Sequence, residues 1–270
     1  MGQIVINDSN YQNYIQPWVG YDGTDRAKGL IPRDYQSHPV GYLGPVASPF
    51  DSSLLIPESE WDERIREQDA AESSLFHLRN RGNAGSQIQS YDQNGQGYCW
   101  AYSTVAAVTL VRAKNHQPFA PLSAHAVGCK IKNFRDEGGW NSLSLQFVAE
   151  KGVPTWTFWP PKSMSRSYDT PETWANALQN RCTEWWDLSD RDDEVRQQLA
   201  SLLLLNVPVM VDFNWWGHSV CAVKLVKRSP FTIKIWNSWT DSWGEMGMGD
   251  LEGRKAIPDG AMAPRVISAS

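Results

Sequence analysis

Residues 99–115 carry Trp100, Val105, Val108, Leu110 and Val111 with alanines between them, and this stretch is apolar on nearly every side. A helix without a polar face has to lie at the centre of a domain, with the rest of the chain wrapped around it. The loop QNGQGYC at 93–99, with Gly95 and Gly97, runs straight into it and places Cys99 in the first turn. There the positive end of the helix dipole faces the sulfur. A thiol attacks well only as a thiolate, and a helix N-terminus with a nearby imidazolium lowers its usual pKa of about 8.5. Position alone fits a buried structural thiol equally well, the commonest fate of a free cysteine.

Around this helix the chain changes period. Pro57-Glu58-Ser59 opens a charged helix over roughly 59–79, with Ser59 as its cap and Asp62 three residues on. Gly82, Gly85 and Ser86 mark a joint, and Ile88–Tyr91 reads as extended. Further helices are expected at 140–151, closed by Gly152 and Pro154, at 171–181, and at 190–205, where Asp190, Asp192, Asp193 and Glu194 favour the dipole. Alternation then takes over: strands are expected at 207–213, 218–227 and 231–236, with a turn at 214–217. Helices first and antiparallel strands after them give an α+β arrangement of two segregated lobes. Residues 1–57, rich in Gly, Pro, Asn, Asp and Tyr, read as a loop-rich arm.

Composition narrows the function. The chain has 270 residues, 41% hydrophobic and 20% charged, enough for one large domain or two lobes with real cores. A net charge of −5 and no basic block argue against nucleic-acid or anionic-membrane partners. No stretch approaches the ~20 apolar residues of a membrane-spanning helix. No basic segment followed by an apolar run opens the chain, so a cytoplasmic protein or a component of a larger particle is expected. Four cysteines without a CxxC pair argue against a disulfide scaffold and against structural zinc. No metal or organic cofactor is implied.

Three segments carry the chemistry. Gln93 through Ser103 (QNGQGYCWAYS) resembles the active-site segment of papain-family cysteine peptidases: Gln, a Gly-containing loop, then Cys-Trp-Ala-aromatic-Ser. Leu122-Ser123, Cys129 and Gly138-Gly139-Trp140 resemble the family's second stretch, and Gly217-His218-Ser219-Val220 with Asn237-Ser238-Trp239 and Trp243-Gly244-Glu245 its third. The resemblance covers roughly 87–250. It implies a papain-like two-lobe fold, with a helical lobe at about 93–183 and a small antiparallel β lobe at about 184–250, in a peptidase domain of 87–270 behind an arm of 1–86. It implies Cys99 as nucleophile, His218 as its base, Asn237 orienting the imidazole, and Gln93 with the Cys99 N–H holding the oxyanion. Gly138 and Gly139 would pair with an extended peptide or protein substrate, Trp140 would lie beside it, and Trp239 would line the site and keep water off the His–Asn bond.

Two departures stand out. Gln96 and Asp136 occupy positions where the family carries a bridged cysteine pair. Cys129 and Cys182 are either the family's other bridge or two unpaired thiols; Cys221 reads as core. His38, His77, His116 and His125 read as surface or packing residues. The arm is either a permanent structural element or a segment that crosses the cleft, Gly41–Pro49 being suited to both, and it is long enough to dock a neighbouring subunit. A Cys-His amidase of cell-wall peptides and a non-enzymatic assembly component on the same fold are the rival readings.

Overall fold

The computed structural model describes residues 2–16, 18–19, 23, 25–42, 47–81 and 87–267. The helices are α1 (Trp61–Ala70), α2 (Leu75–Arg81), α3 (Cys99–Lys114), α4 (Ala124–Ile131), α5 (Asn141–Lys151), α6 (Pro171–Ala177) and α7 (Asp192–Leu204). The strands are β1 (Val5–Ile6), β2 (Trp18–Val19), β3 (Asp25–Arg26), β4 (Ala47–Pro49), β5 (Cys182–Asp187), β6 (Val209–Phe213), β7 (His218–Lys227), β8 (Thr232–Trp236), β9 (Met248–Glu252) and β10 (Gly260–Ile267).

Fourteen of the sixteen residues of α3 are buried, as its apolar circumference demands. It packs on α4 and α5 to one side and on β6, β7 and β10 to the other. The strands form one mixed sheet in the order β1-β9-β8-β7-β6-β10-β5-β4. Its interior pairings are antiparallel, while β1 joins β9 and β4 joins β5 in parallel, so both edges come from the arm. This is the expected α+β, two-lobe architecture.

Period-2 alternation sorts the central strands between two cores. Val209, Val211 and Phe213 of β6, with Val220 and Ala222 of β7, pack with α1 and α7. Met210 of β6, with Cys221 and Val223 of β7, packs with α3. By the same alternation Asp212 and Ser219, which face each other in register, belong to the α3 side of the sheet.

Several local expectations change. The 59–79 helix is two helices: Glu72 takes a left-handed φ of 47° and a new start forms at Leu75. Ser59 lies within a 3-10 turn, and Glu60 precedes α1 without a side-chain cap, so the expected capping box is absent. Helix 171–181 stops at Ala177 and passes through a 3-10 turn into β5. That strand and β10 were not anticipated, because Glu184 and Arg265 interrupt the apolar pattern. The joint at Gly82, Gly85 and Ser86 and part of the 41–49 segment lie outside the described residues. Gly152 ends α5 at a φ of 75° as expected. None of the four cysteines is in a disulfide: Cys129 directs its thiol to the Ser163 carbonyl and Cys182 to that of Glu184, which excludes the bridged alternative.

Candidate active site

Cys99 is the first residue of α3, after Tyr98 at a φ of −107°. Its N–H is among the first-turn donors that a helix leaves without an intrahelical acceptor. His218 begins β7, behind the four-residue turn that Gly217 closes at a φ of 63°. Asn237 follows β8, two strands in from the β1 edge. His218 Nε2 donates to Asn237 Oδ1 at 2.8 Å. The Trp239 indole stacks on the imidazole at 4.5 Å between centroids, and Trp216 meets it edge-on at 4.8 Å. With Nε2 committed to Asn237, the neutral ring keeps Nδ1 as its free base, and Nδ1 has no hydrogen-bond partner among the described residues. Trp239 is 1% exposed, its indole lying against the His218 ring.

Gln93 sits on the loop before α3. Its Oε1 accepts from Ser238 Oγ, and its Nε2 donates to the carbonyls of Gln96 (3.0 Å) and Ala27 (2.6 Å). The loop is tied down where the family's bridge is missing: Asp136 Oδ1 accepts from Gly97 N–H at 2.7 Å. A hydrogen bond from Gly97, the residue after Gln96, to Asp136 thus joins the two segments. His125, buried, bonds Tyr102 and Gln96, consistent with a packing role.

The arm enters this site. Leu30 pairs in parallel with Gly139; Gly139 N–H donates to the Gly29 carbonyl and Ile31 N–H to the Gly139 carbonyl, both at 2.8 Å. Leu30 N–H donates to the Gly217 carbonyl at 3.2 Å. Space is tight: a Cβ on Gly138 would stand 2.6 Å from the Gly29 carbonyl oxygen, and one on Gly139 would stand 2.7 Å from the Trp100 indole. Only glycine permits such approach. Residues 27–31 therefore fill the strip beside Gly138 and Gly139. Trp140 lies next to it, its ring 5.4 Å from that of His38. Ion pairs pin the strap on either side of the crossing: Arg26 Nε to Asp92 at 3.0 Å, and Arg33, bidentate, to Asp187 at 2.8 and 2.9 Å.

The electrostatics are those of a resting site. Burial pushes the Cys99 thiol up to about 11, although the backbone N–H groups of Ser219 and Gly29 oppose the rise. Burial lowers His218 to about 3 against its bond to Asn237, and Lys28 of the strap adds to the depression. Burial in turn brings Lys28 down to about 8. A neutral thiol and a neutral imidazole are favoured while the strap is seated.

The four residues of the expected machinery and the two glycines thus gather around one strip. Missed from the sequence were the strap residues Ala27–Ile31 and, below the thiol, Asp212, Ser219 and Asn141. For these last three a signal existed: Asp212 interrupts the apolar run VPVMVDF.

Comparison with known proteins fits this geometry. The model of the papain family of cysteine proteases matches residues 74–224. Zingipain-1 of Zingiber officinale is 24% identical over 188 residues, covering 60% of this chain and 81% of that protein. Xylellain, a cysteine protease from Xylella fastidiosa, superposes with a TM-score of 0.62 at 16% identity, over 89% of this chain and 96% of its own. Procathepsin L 3 of Tenebrio molitor larval midgut gives 0.54 at 15% identity, over 77% and 90%.

Proposed function

Because the chain belongs to the papain family of cysteine proteases and is a cysteine-type peptidase, we propose that Cys99, His218, Asn237 and Gln93 are its catalytic set and that residues 27–31 hold it latent. The observation that carries the first part is the His218 Nε2–Asn237 bond, which leaves Nδ1 as the ring's only free base. With substrate in the strip now filled by the strap, His218 Nδ1 takes the Cys99 proton and the sulfur attacks the peptide carbonyl carbon. The oxyanion falls to the Cys99 N–H and the Gln93 amide, released from Ala27. His218 then protonates the leaving amine, and water hydrolyses the thioester by the same route in reverse. Gly139 would offer its N–H and carbonyl to an extended substrate backbone, as it does to the strap.

The seated strap is not a substrate. It turns the Gly29 N–H to the sulfur, while the Gly29 carbonyl is committed to Gly139. Attack needs a carbonyl carbon about 3–3.5 Å from the nucleophile in the right direction. We place the grip of an assembly partner on the same arm, where Ile15, Val19 and Ile31 are large apolar side chains left 40–56% exposed.

The test is iodoacetamide labelling at neutral pH with the modified residue found by mass spectrometry. Labelling confined to Cys99 and lost in His218→Ala supports the set. Equal labelling of Cys99 with and without His218 refutes it.

A further inference from the structure

Below the thiol lies a chain of hydrogen bonds that the reaction above does not use. Ser103, one turn along α3 from Cys99, donates its hydroxyl to Asn141 Oδ1 at 2.6 Å. Asn141, at the start of α5, donates its Nδ2 to Asp212 Oδ1 at 2.7 Å. Ser219 Oγ donates to the same carboxylate oxygen. Ser219 is also the residue whose backbone N–H and hydroxyl face the Cys99 sulfur. The chain therefore leaves α3, crosses to the sheet and returns to α3 at the nucleophile. Asp212 is its only carboxyl. It is 6% exposed, and its Oδ1 accepts only from neutral side chains.

We propose that Asp212 is a positioning residue for Cys99, acting through Ser219 Oγ, whose single proton it directs toward or away from the sulfur. The proposal rests on Cys99 being the nucleophile. With Asp212 ionised, the Ser219 hydroxyl is committed to the carboxylate, and a thiolate at Cys99 would face a nearby negative charge. With Asp212 protonated, its O–H donates to Ser219 Oγ, and the hydroxyl hydrogen is free to turn to the thiolate. One proton moves on or off the carboxyl and one hydroxyl rotates; no other bond changes.

Both forms are accessible near neutrality, because burial raises Asp212 to about 7 against its bonds from Ser219 and Asn141. Among the described residues, the charged or titratable groups facing it are Cys99 from α3, Arg33 and Tyr35 from the arm beyond the strap, and Asp259 from the turn before β10. Arg33 favours ionisation and Asp259 opposes it. Cys99 is thus the stronger acid when Asp212 is protonated, so its thiolate fraction falls less steeply through the Asp212 titration than that of a lone thiol.

The test is the Cys99 13Cβ chemical shift in the full chain labelled with 13C-cysteine, followed from pH 5 to 9 and assigned by its loss in Cys99→Ser. A nucleus is read whether or not the strap is seated; His218, lowered to about 3, titrates outside the window, and any response to Lys28, lowered to about 8, persists in Asp212→Asn and is told apart by that. The wild type should show a step with a midpoint near 7. Asp212→Asn, which keeps an oxygen for Ser219 and Asn141, should abolish the step. Ser219→Ala should weaken it and move its midpoint up, because the carboxylate loses a donor. No step in the wild type, or an unchanged step in Asp212→Asn, overturns the proposal. In a Gly29→Ala background, Asp212→Asn should also raise the Cys99 alkylation rate at pH 8 by about tenfold, the effect of roughly one pKa unit. A 13C step without any alkylation would instead defeat the reading of Cys99 as nucleophile and leave the role of Asp212 standing.

Discussion

Replacing Gly29 by alanine should open the cleft. A Cβ there would lie 2.6 Å from the Gly97 Cα and closer still to its carbonyl. Gly97 cannot retreat: its N–H is held by Asp136 and its carbonyl accepts from the Trp100 indole at 3.0 Å. The strap must lift instead. Its crossing is held by four hydrogen bonds, from Gln93, Gly139, Leu30 and Ile31. At about 1 kcal/mol net for each, the seated form is favoured by ~4 kcal/mol, an open fraction on the order of one in a thousand. An overlap with fixed backbone removes most of that advantage. When opening and closing are fast, modification tracks the open fraction, so Cys99 labelling by iodoacetamide at pH 7.5 should rise on the order of a hundredfold or more. Gly95→Ala serves as control, since its Cβ would meet nothing closer than Asp25 O at 3.8 Å. A folded Gly29→Ala protein labelled within about threefold of the wild-type rate would refute the occlusion.

Arg33→Ala should leave the buried Asp187 carboxylate with, among the described residues, the Gly41 N–H alone, and cost about 3–5 kcal/mol in urea unfolding. His218→Ala in the Gly29→Ala background should return Cys99 labelling to the rate of an ordinary buried thiol. Acid should destabilise the fold through His218 and His125, which burial lowers to about 3 and about 4. The unfolded chain protonates both near pH 6.5 while the folded one does not, so stability should fall from that pH down toward 4, as thermal melts at graded pH would show. Asp212 has the opposite sign: its pKa is raised on folding, so its ionisation costs stability as pH climbs from about 4 through 7. Asp212→Asn should therefore stabilise the protein at pH 8, on the order of 2–4 kcal/mol, and hardly at pH 4.

What was legible in the sequence was whatever depends on local pattern. The apolar circumference of 99–115 named the central helix, and alternation named β6, β7 and β8 to within two residues. Cys99, His218, Asn237 and Gln93 each stood inside a recognisable motif. Hidden were contacts set by packing between distant segments. Nothing about Asp25–Ile31 taken alone says that Gly29 will lie on Gly97, because the reason is the fit of two glycine backbones. The break at Glu72 was equally silent, since the charged pattern runs on through it. Asp212 was readable but unread: an acid in a strand buried along its whole length has to be held by something.

The two edge strands donated by the arm carry a consequence for synthesis. Val5 and Ile6 pair with Asp250 and Leu251, residues separated by almost the whole chain, and the ladder cannot close until the second pair has left the ribosome. From its own emergence until β1 docks, β9 has no neighbour on its outer side, an open edge of the kind that recruits foreign strands. Ala47–Pro49 meets its partner β5 much sooner. The arm is thus pinned first at its far end and last at its beginning. The newborn protein passes through an interval in which one end of the strap is anchored, the other is loose, and the helix bearing Cys99 has already been made.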